Sequence, residues 1–361
     1  MTKTLFVTDR KIWQNCQKFF PESFLISNAK NLFLTNPKAD EKNLKKISVA
    51  TTGCDFILAL GSGTINDLCK FTSLQKNIPY SIFASAPSMN GYLSKNASIT
   101  ISGHKKTLPA TLPEAVFCDM RILKSAPLDL IKAGIGDSLC FYSCWFDWYL
   151  SHKLLGTKFS KKPFNLLVER MTFFVQNFRN FSLRDEEFLK LLIEILLLSG
   201  EGMTMAGGSY PASQSEHLIA HAIEMKYPKI AEKKLHGEVI AVTTLTSARV
   251  QKEILQRPKL RLFISEDWPQ KFEQNFFPKE ITQQCVAEYR QKQLLKPKKF
   301  DWPKLKQELQ KIHLDESLLK EIFSHFKIKI SPRSLGLSSE QYQECVANAK
   351  FIRNRFTCLD L

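Results

Sequence analysis

The first 84 residues alternate short apolar runs with stretches of helical pattern, and this alternation limits the fold more than any other feature. Thr4 to Thr8 (TLFVT) reads as a buried strand ending at Asp9. Lys11 to Phe19 has helical periodicity, and Ser23 to Ile26 predicts a second strand. Asn36-Pro37 marks a turn, after which Asp40 and Glu41 open a helix running to Thr51. Asp55 to Leu60 is an apolar run of strand length that leads directly into a Gly-rich loop. A helix over Leu68 to Leu74 and a strand over Tyr80 to Ala84 complete the series. Such a series predicts a parallel, doubly wound sheet.

In a sheet of that kind, ligands bind outside the carboxyl ends of the strands. Two loops fall there. Gly61, Ser62, Gly63, Thr64 and Ile65 join a strand to a helix. Glycines at such a junction let the backbone approach a pyrophosphate, and a helix N-terminus adds unpaired N–H groups and a positive dipole end. The second loop, Ser85-Ala86-Pro87-Ser88-Met89-Asn90-Gly91-Tyr92-Leu93-Ser94, is polar and rich in turn formers. Asp9, at the end of the first strand, suits either an N-cap or an acceptor for an adenosine ribose.

The pattern changes near residue 122. From there to Leu361 nearly every segment has helical periodicity broken by Gly and Pro. The expectation is an α/β dinucleotide-binding domain over residues 1–122 and an all-α metal- and substrate-binding domain over 123–361. Asp137 reads as a carboxylate at a helix start, where capping and metal ligation compete. Further on, GGSYPASQSEHLIAHAIEMKYPKIAEKKLHGE holds His217, His221 and His236, three of the seven histidines. His217 and His221 share one helix face. One carboxylate and two imidazoles with an open position form a recurrent catalytic metal set, which accepts Zn, Ni or Fe. Packed histidines lining a helix are the plainer alternative.

Composition narrows the class. The net charge is +16, but the lysines are scattered, and no zinc finger, arginine-rich run or RNA-binding aromatic motif accompanies them. Nucleic acid is therefore not an expected partner, whereas a phosphorylated metabolite is. The most apolar stretch, Leu189 to Leu198, is too short to span a bilayer and contains Lys190 and Glu194. The N-terminus lacks the long apolar core of a signal peptide. The nine cysteines show no metal-ribbon spacing, and Cys140 and Cys144 read as packed thiols. A cytoplasmic protein with reduced thiols, forming a homodimer, is the expectation.

Five ordered blocks carry a resemblance: GSGTINDLCKF, SAPSMNGYLS, KTLPATLPEAVFCD, APLDLIKAGIGD, and GSYPASQSEHLIAH with LHGE. Together they resemble the sn-glycerol-1-phosphate dehydrogenases, relatives of dehydroquinate synthases, glycerol dehydrogenases and iron-type alcohol dehydrogenases. The resemblance extends to about residue 250. It implies a dehydroquinate synthase-like fold and reversible reduction of dihydroxyacetone phosphate to sn-glycerol 1-phosphate by NADH or NADPH. By the same resemblance, Gly61 to Ile65 would hold the pyrophosphate. Ser85, Ala86, Pro87, Ser88 and Ser94 would line the cofactor cleft, and Asp9 would face the ribose, which favours NADH. Asp137, His217 and His236 would ligate one divalent metal, and His221 would contact substrate and relay its proton.

Two departures stand out. Asn90 occupies a substrate-contacting position where the family generally has Asp. Tyr210 and Gln214 lie where many members read G-S-R-P-x-S-G. These departures keep open a glycerol or polyol dehydrogenase and a carbocycle-forming synthase of the dehydroquinate synthase type. A non-catalytic binding module is the remaining alternative.

Overall fold

The computed structural model describes residues 3–25, 30–101, 104–260 and 276–361. By packing the chain forms two units, Met1–Gly134 with Leu167–Gly208, and Ile135–Leu166 with Ser209–Leu361. The change from βα alternation to helix near residue 122 is thus a change of secondary structure. Packing instead returns 167–208 to the first unit.

The first unit carries a parallel sheet of order β2-β1-β3-β4-β7. Its strands are β1 (Thr4–Asp9), β2 (Lys30–Leu34), β3 (Phe56–Gly61), β4 (Tyr80–Ala84) and β7 (Val116–Phe117). Between them run α1 (Arg10–Cys16), α2 (Glu41–Ala50) and α3 (Gly63–Lys76). Thr8 pairs with Leu60 and Gly61 with Ala84, so Asp9, Gly61 and Ala84 end their strands on one edge of the sheet. Leu5, Val7, Ile57, Ala59, Tyr80 and Ile82 are buried on one face and Phe6 and Leu60 on the other, as expected of a sheet covered on both faces. A separate antiparallel hairpin, β5 (Asn96–Ile101) with β6 (His104–Pro109), follows the second loop. Strand-length patterns alone did not predict it.

Two sequence expectations require correction. The strand expected over Ser23 to Ile26 is not formed: Glu22–Phe24 is a 3-10 turn, and the strand is Lys30–Leu34. Ile26 itself lies outside the described residues. The reason is aromatic packing, since Phe24 stands against Phe6, Trp13 and Phe20 with centroids 4.6–6.0 Å apart. The helix expected from Leu68 begins earlier, at Gly63, so the Gly-rich loop is itself the first helical turn.

Helices dominate the remainder: α4 (Met120–Ser125), α5 (Leu128–Leu155), α6 (Lys162–Asn177), α7 (Glu186–Ala206), α8 (Ser215–Lys226), α9 (Pro228–Ala231) and α10 (His236–Gln256). Then come α11 (Lys279–Gln293), α12 (Trp302–Gln310), α13 (Glu316–His325), α14 (Pro332–Leu335) and α15 (Ser339–Ala349). Asp185 caps α7 by accepting from Glu187 N–H, and Gly207 ends it at φ 68°, a left-handed conformation that favours glycine. In the second unit α8 packs between α10 and α15 around Leu218, Ile219, Ile223, Ile240 and Cys345. Among the described residues no helix is long and apolar enough to cross a membrane.

Candidate metal centre and nucleotide loop

Two glycines bring the metal-site candidates together. Gly136 on α5 faces Gly237 on α10 so closely that a Cβ at 136 would stand 2.2 Å from the Gly237 carbonyl oxygen. Each is followed or preceded by a candidate ligand, Asp137 and His236. Asp137 lies well inside α5, not at a helix start, and so caps nothing. The neighbouring Gly134 and Gly136 read as helix breakers in the sequence, but here they permit close approach within one continuous helix.

Asp137 Oδ1 stands 4.0 Å from His217 Nε2 and 3.9 Å from His236 Nε2. The two Nε2 atoms are 3.2 Å apart. Asp137 and His217 are buried, and His236 is half-buried. Donors on one four-coordinate ion with bonds of about 2.1 Å stand about 3.4 Å apart, so the spacing suits a metal. The chemistry of the donors agrees. His217 Nδ1 faces Glu216 Oε1 at 2.9 Å, which places the proton on Nδ1 and turns a lone pair at Nε2 toward the other two donors. Three converging lone-pair donors repel one another without a cation between them.

Glu216 went unassigned in the sequence. It is fully buried and accepts from Gln214 N–H at 2.7 Å, Ser143 Oγ at 2.8 Å and Cys144 Sγ at 3.1 Å. Burial alone would raise its carboxyl. The hydrogen bond with His217 and those donors outweigh burial and bring it down to about 2. Cys140, Cys144 and Glu216 also converge, but both Glu216 oxygens are already engaged and burial holds the Cys144 thiol well above its ordinary range. Cys144 therefore serves the carboxylate as a packed thiol, and Cys140 donates to the Asp137 carbonyl oxygen at 3.0 Å. Glu224 is the second missed carboxylate. It faces His221 Nδ1 at 3.1 Å and His236 Nδ1 at 3.8 Å. The available signal was position: Glu216 adjoins His217, and Glu224 follows His221 by one helical turn on the same face.

His221 lies beside His217, ring centroids 6.2 Å apart, and is not part of the converging donor set. Burial first, then the charge of Arg353, pushes it down to about 3 against the opposing pull of Glu224. It is neutral at physiological pH.

The nucleotide-loop candidates all lie in the first unit. Gly61 accepts from Ser85 N–H at 2.9 Å, which ties the two loops together. A Cβ on Gly61 would meet Ile65 Cβ at 2.4 Å, so the turn requires glycine. Ser62 is the N-cap of α3 and makes no side-chain cap bond, and Ser62, Gly63 and Thr64 keep partial exposure. Ser85, Ala86, Pro87, Ser88 and Ser94 are buried. The loop is clamped by Lys70, a fully buried side chain whose Nζ reaches Gly91 O at 2.6 Å, Asn96 O at 2.9 Å and Ser94 O at 3.2 Å. Tyr92 Oη donates to Ala86 O at 2.9 Å. Asn90 is half-buried, and its carbonyl oxygen would be 2.7 Å from a Cβ on Gly200. Asp9 caps α1, accepting from Lys11 N–H at 2.6 Å.

The family model described as iron-containing alcohol dehydrogenase matches residues 1–127. A glycerol-1-phosphate dehydrogenase [NAD(P)+] from Thermococcus sibiricus is 33% identical over 248 residues, covering 68% of this chain and 67% of the relative. Its counterpart from Bacillus subtilis is 32% identical over 230 residues, covering 62% of this chain and 58% of the relative. In solved structures the fold is similar to maleylacetate reductase from Rhizobium sp. strain MTP-10005, at TM-score 0.64 and 13% identity over 99% of this chain and 85% of that one. A probable glycerol dehydrogenase from Sinorhizobium meliloti 1021 gives TM-score 0.65 at 14% identity, over 98% and 86%. The solved structures share the α/β-then-helical fold. The chain belongs to the glycerol-1-phosphate dehydrogenase family, within the iron-containing alcohol dehydrogenases.

Proposed function

We propose that the protein catalyses the reversible, NAD(P)H-linked and metal-dependent reduction of dihydroxyacetone phosphate to sn-glycerol 1-phosphate. The observation that carries this reading is the convergence of Asp137 Oδ1, His217 Nε2 and His236 Nε2 within 4.0 Å of one another. Membership of the family supplies the reaction. Asp137, His217 and His236 would hold one divalent ion, for which Zn, Ni and Fe are the candidates. When bound, the ion supplies Lewis acidity at a ketone oxygen and the reduced nicotinamide supplies hydride.

The chain's own residues do the rest. Glu216 fixes the tautomer and ring orientation of His217. Glu224 stands behind His221 and His236. With Glu224 at its Nδ1, neutral His221 accepts a hydroxyl proton at Nε2 in the oxidative direction and returns it in the reductive one. Gly61 to Ile65 leave backbone N–H groups of the first turn of α3 for the pyrophosphate. Ser85, Ala86, Pro87, Ser88 and Ser94 form the adjoining wall, held by Lys70. The carboxylate of Asp9 favours NADH, because it would repel a 2′-phosphate. Asn90 hydrogen-bonds substrate where the family's carboxylate would.

The test follows NADH absorbance with metal-stripped protein reloaded separately with Zn, Ni or Fe. Dihydroxyacetone phosphate and dihydroxyacetone are offered in parallel. Metal-dependent oxidation of NADH with the phosphorylated ketone is the expected result. Turnover of the unphosphorylated ketone alone would replace this reading with a polyol dehydrogenase.

A further inference from the structure

The segment Ser209 to Ser213 receives a guanidinium from the far end of the chain. Arg355, in the stretch after α15, donates through Nη1 to the Ser213 carbonyl oxygen and to Ser213 Oγ at 3.2 Å. Its Nη2 reaches Ser209 Oγ at 3.4 Å. The guanidinium carbon lies 4.5 Å from the centroid of the Tyr210 ring, whose plane is stacked on Trp148 at 5.6 Å. Tyr210 is the position at which the sequence departs from an arginine-bearing pattern, so the cation missing from that segment is supplied in space by the tail.

Arg353, two residues earlier, carries a second guanidinium whose charge acts on Arg355. Neither Arg353 nor Arg355 forms an ion pair with a carboxylate among the described residues, and the Arg353 side chain makes no hydrogen bond among them. The carboxylates whose charge reaches them are committed elsewhere. Glu288 accepts from Asn354 N–H at 2.9 Å, Glu224 faces His221, and Glu216 holds four donors. Burial and mutual repulsion push Arg355 down to about 10. Two half-buried like charges with no carboxylate in contact are unfavourable side by side, and a bound dianion lowers that cost. Arg355 uses three of its five N–H donors, so its fork can still engage two anionic oxygens.

We infer that Arg353 and Arg355 form an anion subsite that binds the phosphate group of the substrate and sets the preference for a phosphorylated ketone. The subsite lies beside the metal centre in the same packed unit. Ser213 begins the turn into α8, which carries His217 and His221. The charge of Arg353 reaches His221 and that of Arg355 reaches Glu216. This inference rests on the proposed function for its ligand, but binding can be tested without turnover.

The experiment uses the full metal-loaded chain with inorganic phosphate as the probe. Phosphate affinity is measured calorimetrically for the native protein, Arg353→Gln and Arg355→Lys, alongside the KM and kcat for dihydroxyacetone phosphate. Arg353→Gln removes no hydrogen bond, so it keeps the test valid if Arg355→Lys loosens the tail. Each variant should bind phosphate about 10- to 100-fold more weakly, with KM rising similarly and kcat changing less. Native-like phosphate affinity and KM in both variants would overturn the inference and leave the arginines as tail anchors, as would failure of the native protein to bind phosphate. Arginine-dependent phosphate binding without ketone turnover would leave the subsite standing and refute the reaction instead.

Discussion

The Glu216 carboxylate faces His217 Nδ1 at 2.9 Å while His217 Nε2 lies 3.2 Å from His236 Nε2. One fully buried carboxylate thus decides which nitrogen of His217 is free to ligate. Glu216→Gln keeps the shape and removes the charge. It should weaken zinc binding by about 10- to 100-fold, read by chelator competition in the absence of substrate. Unchanged affinity would show that His217 orients itself.

Gly136 should tolerate no side chain. Alanine there would place Cβ against the Gly237 carbonyl oxygen and force α5 and α10 apart. Gly136→Ala should cost about 2–3 kcal/mol in urea unfolding, with metal affinity falling alongside. A stable variant with native metal affinity would mean that the two helices can separate without moving Asp137 from His236.

Lys70 separates the two binding functions. Its ammonium is desolvated, which lowers it, and Asp67 at 3.6 Å only partly offsets that. It persists because three loop carbonyls need its protons. Lys70→Met should weaken NADH binding by about 10-fold in a fluorescence titration. Zinc affinity should not change, because the clamp and the metal centre belong to different packed units. A loss of zinc binding with native NADH affinity would refute this assignment.

Asp147 should make stability depend on pH. It is fully buried, and desolvation raises it to about 7 despite donors from Ser215, Gln251 and Cys358. An unfolded Asp titrates near about 3.9, so between there and 7 the folded state binds a proton that the unfolded state does not. The stability from that proton is fully present below the unfolded pKa and is lost as pH rises through 7. Chemical denaturation from pH 4 to 8 should show native stability falling through this window, with a flatter profile in Asp147→Asn. An identical slope in both proteins would refute the assignment.

Several features were readable from residues alone because they are local. Strand-length apolar runs ending in Gly61 and Ala84 predicted a parallel sheet with two loops at its carboxyl edge, and β3 and β4 lie there. A spacing of four placed His217 and His221 on one helix face. The family blocks then pointed to Asp137 and His236. Periodicity reports which face of an element is apolar, not what will press on it. That limit explains the missed hairpin, the misplaced second strand, and Asp137 placed at a helix start.

The tertiary structure alone decided how distant segments meet. Asp137 and His236 approach because two glycines let α5 and α10 close to backbone contact. Glu216 became an orienting carboxylate only because α5 brings Ser143 and Cys144 onto it. The guanidinium over Tyr210 comes from residue 355, 145 positions away in a stretch with no readable motif. Sequence spacing fixes neighbours within one helix through its pitch. Contacts between helices depend on which side chains are small enough, and which buried charges need partners, once the core has packed.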